Sequence, residues 1–265
     1  MTNLGGRRSI VVLNVAEKPS VARALAGVLD QIPGSSSRPM TRNAAAQVFT
    51  HENVQFPSIL SQRNNNHHPN NNNHNNNIVG HTMITTSIRG HLASQEFPPQ
   101  YGWSSCAPIA LFDAMIETQY KPDMEPLERM LRQQSRHVNA LILWLDCDRE
   151  GEAIAEEVRV VCVDANPRLV RENTVFRARF STVMRQEITR ALFQLDRIND
   201  CFVQAVQARS ELDLRVGAAF TRFQTLRLQK KFDGFNNGTV VSYGPCQVRL
   251  SLYTIFKHKA SFSSH

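Results

Sequence analysis

The chain has 265 residues, of which 42% are hydrophobic and 20% are charged. This composition is typical of one large or two modest globular domains, and it excludes collagen, coiled-coil and mucin-like chains. The 30 lysine and arginine residues outnumber the 23 acidic residues, which gives a formal net charge of +7. Such an excess of positive charge favours a polyanionic partner, with nucleic acid ahead of an anionic membrane surface.

The longest apolar segments are far shorter than the roughly 20 residues that a membrane-spanning helix needs. We therefore expect no transmembrane helix, and the N-terminus does not have the pattern of a secretory signal peptide. The cysteines are odd in number, widely spaced and without a C-x-x-C pair; they are Cys106, Cys147, Cys162, Cys201 and Cys246. This pattern predicts a reduced intracellular compartment, with neither a disulfide framework nor a zinc site.

The first predicted element is a buried strand over residues 10–15, and a helix follows in which apolar residues recur at helical spacing from Val21 to Leu29. The loop between them places Glu17 and Lys18 side by side. Pro19 falls at the start of the helix, where proline is tolerated because its missing N–H would have no partner there.

Residues 31–62 are predicted to be irregular. The following stretch, residues 64–77, contains ten asparagines, three histidines and one proline. A segment of this composition cannot bury apolar surface, so residues 62–78 are predicted to form a disordered surface insertion without an assigned function. The alternating pattern of residues 83–88 then predicts a strand.

A helix is predicted over residues 126–139, and the most hydrophobic strand of the chain over residues 140–145. A continuous apolar run is typical of a strand covered on both faces, as in a parallel α/β sheet. An acidic segment follows, and the next helix is predicted to begin at Ala153.

A further strand is predicted over residues 174–180, with Ser181 and Thr182 as N-cap residues of the helix after it. The last long helical pattern covers residues 203–228. Because the alternation of strands and helices gives way to helices, we predict a boundary near residues 170–180 between an α/β domain and a mostly helical segment.

Three carboxylates follow the predicted central strand at alternate positions: Asp146, Asp148 and Glu150. On an extended tip, alternate residues lie on one side, so their oxygens could converge on one hard cation such as Mg²⁺. The alternative is an acidic helix N-terminus that only complements the helix dipole. The end of a central strand is where open α/β sheets bind ligands, and this favours the metal site.

Glu17 also follows a strand, so it would share one crevice with Asp146 if the two strands are neighbours. Glu17 could then act as a general acid or base beside the metal, and Lys18 could serve as a point charge for a phosphate. The alternative is an ordinary turn with a solvated ion pair.

Six short segments of the chain resemble motifs of a known protein family. Residues 16–20 (AEKPS) and 146–152 (DCDREGE) resemble the Toprim domain of type IA DNA topoisomerases, the topoisomerase III branch in particular. Further matches follow the family order and are residues 90–92 (GHL), 177–181 (RARFS), 208–225 and 242–247. The last two are most similar to the eukaryotic topoisomerase III alpha type.

The resemblance implies a role for each matched residue of the first domain. Glu17 would protonate the 3′-oxygen leaving group during DNA cleavage and work in reverse during religation, and Lys18 would hold the scissile phosphate. Asp146, Asp148 and Glu150 would bind Mg²⁺, which positions the phosphodiester for resealing.

Further residues match family positions that hold single-stranded DNA: Arg209, Asp213, Arg215, Arg222, Ser242 and Gln247. Arg215 and Arg222 are seven residues apart and therefore share a helix face, and Glu211 is placed to orient Arg215. The alternative for this face is a solvated surface. We predict that Phe220 and Phe223 belong to the core.

The implied fold class is α/β. A Toprim domain with a Rossmann-like, mostly parallel sheet would cover residues 1–170, and residues 171–247 would begin a mostly helical DNA-binding domain. The family nucleophile is a tyrosine of a later domain, and none of the four tyrosines of this chain lies in a match to it. Residues 248–265 diverge from the family, so we expect a fragment that does not cleave DNA by itself.

The implied partners are single-stranded DNA, a RecQ-type helicase and an OB-fold protein, without a membrane, and the implied location is the nucleus, with the mitochondrion as an alternative. Two other functions remain open. A Toprim nuclease or primase-like protein would need only the metal carboxylates and water, although residues 208–225 argue against it. A non-catalytic nucleic-acid-binding module would rely on net charge alone.

Overall fold

The computed structural model describes residues 10–42, 45–56, 79–103, 105–232 and 239–244. The predicted Asn-rich insertion, Gln247 and the predicted tail of residues 248–265 lie outside these ranges. The chain forms two compact units, one of residues 1–92 with 120–204 and the other of residues 93–119 with 205–265. The domain ranges predicted from the sequence, residues 1–170 and 171–247, stay a prediction.

The first unit contains most of the strands and five helices of the described residues. Its strands are β1 (Val11–Ala16), β2 (Ser36–Ser37), β3 (Thr41–Arg42), β4 (Gln47–Phe56), β5 (Val79–Ser87), β8 (Ala140–Trp144), β9 (Val175–Ala178) and β10 (Leu195–Asp196). Its helices are α1 (Pro19–Leu29), α2 (Glu125–Ser135), α3 (Arg149–Ala165), α4 (Arg168–Arg171) and α5 (Arg185–Phe193).

One sheet organises this unit, with the strand order β10-β9-β8-β1-β5-β4-β2 and with β3 paired to β4. The four central strands, β9, β8, β1 and β5, run parallel, whereas β10, β4 and β2 pair antiparallel. The mostly parallel α/β fold predicted from the sequence is therefore confirmed. Because β1 lies between β5 and β8, the carboxyl ends of these three strands meet at one edge of the sheet.

Both faces of the sheet are covered, because successive side chains of a strand point to opposite faces. Val12 and Ala16 of β1 pack with α1 and α5 in one buried cluster. Leu13 and Val15 pack with α2 and α3 in another. Trp144 at the end of β8 is fully buried, and its indole N–H donates to Asn14 Oδ1 at 3.0 Å. The continuous apolar runs of β1 and β8 are explained by this two-sided burial.

Two local predictions are wrong. Residues 31–62 are not irregular throughout, because β4 extends the sheet antiparallel to β5 over ten residues, with an irregular register between His51 and Val54. Its alternation is interrupted by polar residues such as Thr50 and Glu52, which hides the strand from a periodicity argument. Ser181 and Thr182 are not the N-cap either, since α5 follows Met184.

The second unit contains β6 (Ala93–Glu96) and β7 (Glu117–Tyr120), which form a two-stranded sheet, and most of α6 (Asp200–Lys231). The Arg215 side chain of α6 donates to the carbonyl oxygens of Leu111, Phe112 and Ala114 at 2.8–2.9 Å. These bonds attach the loop before β7 to the helix. Among the described residues, no helix is long and apolar enough to cross a membrane.

The prediction that Phe220 and Phe223 are core residues is wrong. Phe220 is 45% exposed and Phe223 is 52% exposed, whereas Ala219, the residue before Phe220, is buried. The ring of Phe220 stacks on Tyr243 at a centroid distance of 4.9 Å. Neither phenylalanine therefore lies on the buried face of α6, to which Ala219 belongs.

Candidate active site

The carboxyl ends of β1 and β8 place the predicted acidic and basic residues at one edge of the sheet. Ala16 and Trp144 are paired in the parallel register, so Glu17 and Asp146 leave neighbouring strands close together. The backbone N–H of Glu17 donates to the Trp144 carbonyl oxygen at 3.0 Å and extends the ladder past the last paired residues. The sheet itself therefore sets the distance between these two loops.

Glu17 and Asp146 are joined directly. Glu17 Oε2 accepts a hydrogen bond from the backbone N–H of Asp146 at 3.0 Å. Lys18 Nζ donates to Asp146 Oδ2 at 2.6 Å and lies 3.7 Å from Glu17 Oε1. The hydrogen bond to Asp146 and the charge of Glu17 raise the pKa of Lys18. The structure thus brings together the residues that the sequence predicted to share one crevice.

Asp148 ends the loop and starts the next helix. Its backbone is extended, and its Oδ1 accepts from the Gly151 N–H at 2.7 Å as the N-cap of α3. A Cβ atom at Gly151 would lie 2.0 Å from the Asp146 carbonyl oxygen, so only glycine permits this close approach. Asp148 therefore stabilises the first turn of the helix that follows the Asp146 loop.

The prediction that Asp146, Asp148 and Glu150 lie on one extended segment is wrong after Asp148. The helix begins at Arg149 and not at Ala153, because the Asp148 cap initiates it four residues earlier. Glu150 consequently lies in the first helical turn, where its Oε2 is 3.3 Å from His91 Nε2. The alternative of an acidic helix N-terminus thus describes Glu150, while Asp146 remains on the loop.

His91 is a site neighbour whose role the sequence did not indicate. It follows Gly90, whose φ of +78° lets the chain turn directly after β5. His91 Nδ1 lies 2.7 Å from Glu157 Oε1, and Glu157 Oε2 accepts from the Leu92 N–H at 2.7 Å. The hydrogen bond to Glu157 is the main cause of the raised pKa of His91. The only sequence signal was the position of the Gly-His-Leu motif after a strand.

The three predicted metal ligands each have a separate partner: Lys18 for Asp146, the α3 N-terminus for Asp148 and His91 for Glu150. Within the part of the chain that the structure describes, no group of three or more His, Cys, Asp or Glu side chains is arranged to hold a metal ion. Asp146 and Asp148 nevertheless offer adjacent, solvent-accessible carboxylates. This donor set fits Mg²⁺, which is usually held by one or two carboxylates together with water and substrate phosphate.

A buried network of charged residues, centred on Arg177 and Glu152, holds the Asp146 loop. Arg177 of β9 is completely buried, and its Nη2 donates to the Asp146 carbonyl oxygen at 2.7 Å, while Nη1 donates to the carbonyl oxygens of Leu143 and Ala178. Its Nε donates to Glu152 Oε1 at 3.1 Å. Burial lowers the pKa of Arg177. Arg177 therefore fixes the backbone of the Asp146 loop from the sheet.

Glu152 is the counter-charge of this network. Its carboxylate accepts from Arg177, from Arg179 Nη1 at 2.9 Å and from the Asn199 N–H at 2.9 Å. Its side chain is 1% exposed. Arg177 and Glu152 both lie in family motifs, but the sequence did not predict their contact, because an ion pair between a strand and a helix has no signature in the spacing of residues.

The predicted DNA-binding residues lie in the second unit. Arg209 Nε is 3.7 Å from Asp213 Oδ2 on an exposed helix face, and Ser242 is exposed. Arg215 is engaged with backbone carbonyls and with Glu211. Their predicted role in DNA binding stays a prediction.

Arg222 belongs to the same group but is buried. It donates to the Gly102 carbonyl oxygen at 2.9 Å, and its guanidinium group lies 5.7 Å from the centre of the Trp103 ring. Arg222 therefore has structural contacts that the sequence did not predict.

The fold and the motifs agree with comparisons to known proteins. The family model of the Toprim domain matches residues 12–183. The chain belongs to the Toprim family. Toprim domains generally bind a metal ion, usually Mg²⁺. The match includes both loops of the crevice, β9 and the buried network.

Over most of its length the chain is also similar to eukaryotic topoisomerases. It is 38% identical to DNA topoisomerase 3-alpha of Arabidopsis thaliana over 93% of this chain and 24% of that protein. It is 41% identical to DNA topoisomerase 3-alpha of Homo sapiens over 68% of this chain and 18% of that protein. The resemblance to topoisomerase III is therefore confirmed, and the chain spans about a quarter or less of the length of these two relatives.

The buried network provides a prediction for stability. Replacing Arg177 by Met removes one cationic partner of the buried Glu152 carboxylate and three bonds to backbone carbonyls. We expect Arg177→Met to lower the free energy of unfolding by about 3 kcal/mol, because a buried charge loses its partner. The measurement is urea denaturation followed by circular dichroism.

The matched control is Arg190→Met, which removes an exposed ion pair with Glu187 in α5. This change should cost less than about 1 kcal/mol. Equal losses in the two variants would contradict the structural role of Arg177.

Proposed function

We propose that the first unit forms the phosphodiester-handling half of a type IA DNA topoisomerase active site and that its substrate is single-stranded DNA. The observation that carries the proposal is the hydrogen bond from the Asp146 N–H to Glu17 Oε2, with Lys18 on the Asp146 carboxylate. A proton-transferring carboxylate, a cation for phosphate and metal-binding oxygens thereby lie within one crevice. This is the set of groups that phosphodiester breakage and rejoining require.

Each residue of the crevice has a proposed task. Glu17, at the end of β1, transfers a proton to and from the 3′-oxygen of the broken strand. Lys18 holds a non-bridging oxygen of the scissile phosphate as a point charge. Asp146, Asp148 and Glu150 would hold Mg²⁺. A bound Mg²⁺ would neutralise phosphate charge and help to orient the 3′-hydroxyl group.

The buried Arg177 supports this arrangement indirectly. Arg177 donates to the carbonyl oxygen of the peptide group after Asp146, and Glu17 accepts from the N–H of the peptide group before it, so hydrogen bonds hold both peptide groups that flank the Asp146 Cα. The parallel pairing of β1 with β8 positions the Glu17 carboxylate from the other side. The proton-transferring group and the metal-binding loop are thus held by rigid elements and not by loop conformation alone.

The whole reaction is proposed to need residues beyond this chain. The type IA reaction uses a tyrosine nucleophile that forms a 5′-phosphotyrosyl bond, and none of the tyrosines of this chain matches that motif. Arg209, Asp213 and Ser242 are proposed to contact the DNA backbone from the second unit. A RecQ-type helicase and an OB-fold protein are proposed partners of the longer protein, and the nucleus is its proposed location.

The metal-binding proposal is tested with Asp146→Asn/Asp148→Asn. Asparagine has the same shape as aspartate and is itself a good N-cap, so α3 should be retained. We expect the double variant to bind Mn²⁺ at least about tenfold more weakly, since both oxygen-donor charges are lost. Free Mn²⁺ is measured by electron paramagnetic resonance during a titration.

The control, Glu125→Gln/Glu172→Gln, removes two carboxylates that form exposed i,i+4 ion pairs with Arg129 and Arg168. It changes the net charge by the same amount and should leave Mn²⁺ binding unchanged. Unaltered Mn²⁺ binding in the Asp146/Asp148 variant would contradict the metal centre and favour a binding module that depends on net charge.

A second experiment separates the proposed reaction from hydrolysis by water. The chain is incubated with Mg²⁺ and a single-stranded oligonucleotide labelled at both ends, and the products are separated on a denaturing gel. We expect intact oligonucleotide, because this chain lacks the matched tyrosine.

Either kind of product would be informative. A covalent adduct between protein and DNA would show that a nucleophile is present in this chain. Metal-dependent fragments without an adduct would favour the Toprim nuclease alternative.

A further inference from the structure

A basic cavity of about 250 Å³ lies beside the start of α1 in the first unit. The residues that line it include Arg23, Arg42 and Arg89, together with Pro19 and Ser87. The arginines come from three elements: Arg23 from α1, Arg42 from β3 and Arg89 from the turn after β5. The fold therefore gathers three cations around one opening although they are far apart in the sequence.

The cavity contains no compensating negative charge. None of its lining residues is acidic, and within the described residues none of the three arginines has a carboxylate partner. Arg23 contacts only a neutral acceptor, Gln47 Oε1 at 3.4 Å. In contrast, other exposed arginines of this unit, such as Arg129 and Arg168, form ion pairs with carboxylates. A cleft lined by charges of one sign concentrates the field and attracts an anion.

The helix that borders the cavity adds to this potential. α1 has eleven residues, no acidic side chain in its first turn and no side-chain cap. The partial positive charge of its N-terminus is therefore not neutralised by the helix itself. Pro19, in the cavity wall, is the first residue of this helix.

The position of the cavity relates it to the candidate active site. Pro19 directly follows Lys18, and Ser87 is paired with Ala16, the residue before Glu17. Glu17 and Lys18 thus have the Asp146 loop on the β8 side and the basic cavity on the β5 side. A nucleic-acid strand that is held at Lys18 and continues toward the β5 side would pass these three arginines.

We propose that this cavity binds a backbone phosphate of single-stranded nucleic acid next to the phosphate that Lys18 holds. The proposal rests on the proposed function of the Lys18 site and extends the DNA path along the β5 side of the sheet. Guanidinium groups suit this task because their planar forks can donate two parallel hydrogen bonds to one phosphate. Contacts of this kind position a strand without reading its bases, so the cavity should not discriminate between sequences.

The test uses Arg42→Gln/Arg89→Gln and a fluorescein-labelled dT oligonucleotide, with binding followed by fluorescence anisotropy between about 50 and 200 mM KCl. Each phosphate contact on a single strand contributes about 0.7 to the slope of log affinity against log salt concentration. We expect the slope of the double variant to fall by about 0.7 or more relative to the unaltered chain. A dA oligonucleotide should show the same loss.

The matched control is Arg129→Gln/Arg168→Gln, which removes two positive charges that are already paired with Glu125 and Glu172. Its slope should equal that of the unaltered chain. Arg42→Lys/Arg89→Lys should restore most of the slope, because charge is retained. Thermal melting of all variants within about 2 °C of one another would show that the exposed substitutions leave the fold intact.

The outcomes distinguish this inference from the proposed function. If the unaltered chain shows no salt-dependent binding of the oligonucleotide, the proposed function fails and this inference fails with it. If the unaltered chain binds but the Arg42/Arg89 variant has the slope of the control, only the cavity proposal is overturned. If inorganic phosphate raises the melting temperature through these arginines while the DNA slope is unchanged, the cavity binds a free anion, and the proposed strand path is wrong.

Discussion

The hydrogen bond from the Asp146 backbone N–H to the Glu17 carboxylate is the constraint on which the candidate site depends. It joins two loops that are 129 residues apart in sequence. Its geometry follows from the parallel register of β1 and β8, which places Ala16 beside Trp144. Without this pairing, Glu17 would be an ordinary turn residue and the acidic segment an ordinary helix start.

Charge balance explains how so many carboxylates coexist at one edge of the sheet. Asp146 is balanced by Lys18, Glu150 by His91 and Asp148 by the N-terminus of α3. The Lys18–Asp146 and His91–Glu150 pairs are partly exposed to solvent, so a metal ion and a phosphate would have access to them. Glu152 differs, because it is buried between Arg177 and Arg179 and cannot exchange partners without opening the core. One carboxylate therefore maintains the structure, while the others remain available for chemistry.

The sequence predicted the central strands and the crevice because these features have strong local signals. Continuous apolar runs identify β1 and β8 as two-sided strands, and a carboxylate directly after each run indicates their shared edge. The sequence did not predict β4 because polar residues interrupt its pattern. The helix α3 begins four residues before its predicted start because Asp148 acts as its N-cap.

The Arg177–Glu152 pair and the contacts of Arg222 were missed for another reason: they join residues that only the three-dimensional fold brings together. Likewise, helical spacing could not show that Phe220 and Phe223 remain exposed.

A crystal structure of the chain with Mn²⁺, analysed by anomalous scattering, would test most directly whether acid, cation and metal oxygens share one centre. We expect an anomalous peak at a coordination distance of about 2.1 Å from a carboxylate oxygen of Asp146 or Asp148. Glu17 should remain hydrogen-bonded to the Asp146 N–H. A peak bound elsewhere, or a Glu17 side chain turned out of the crevice, would contradict a shared centre.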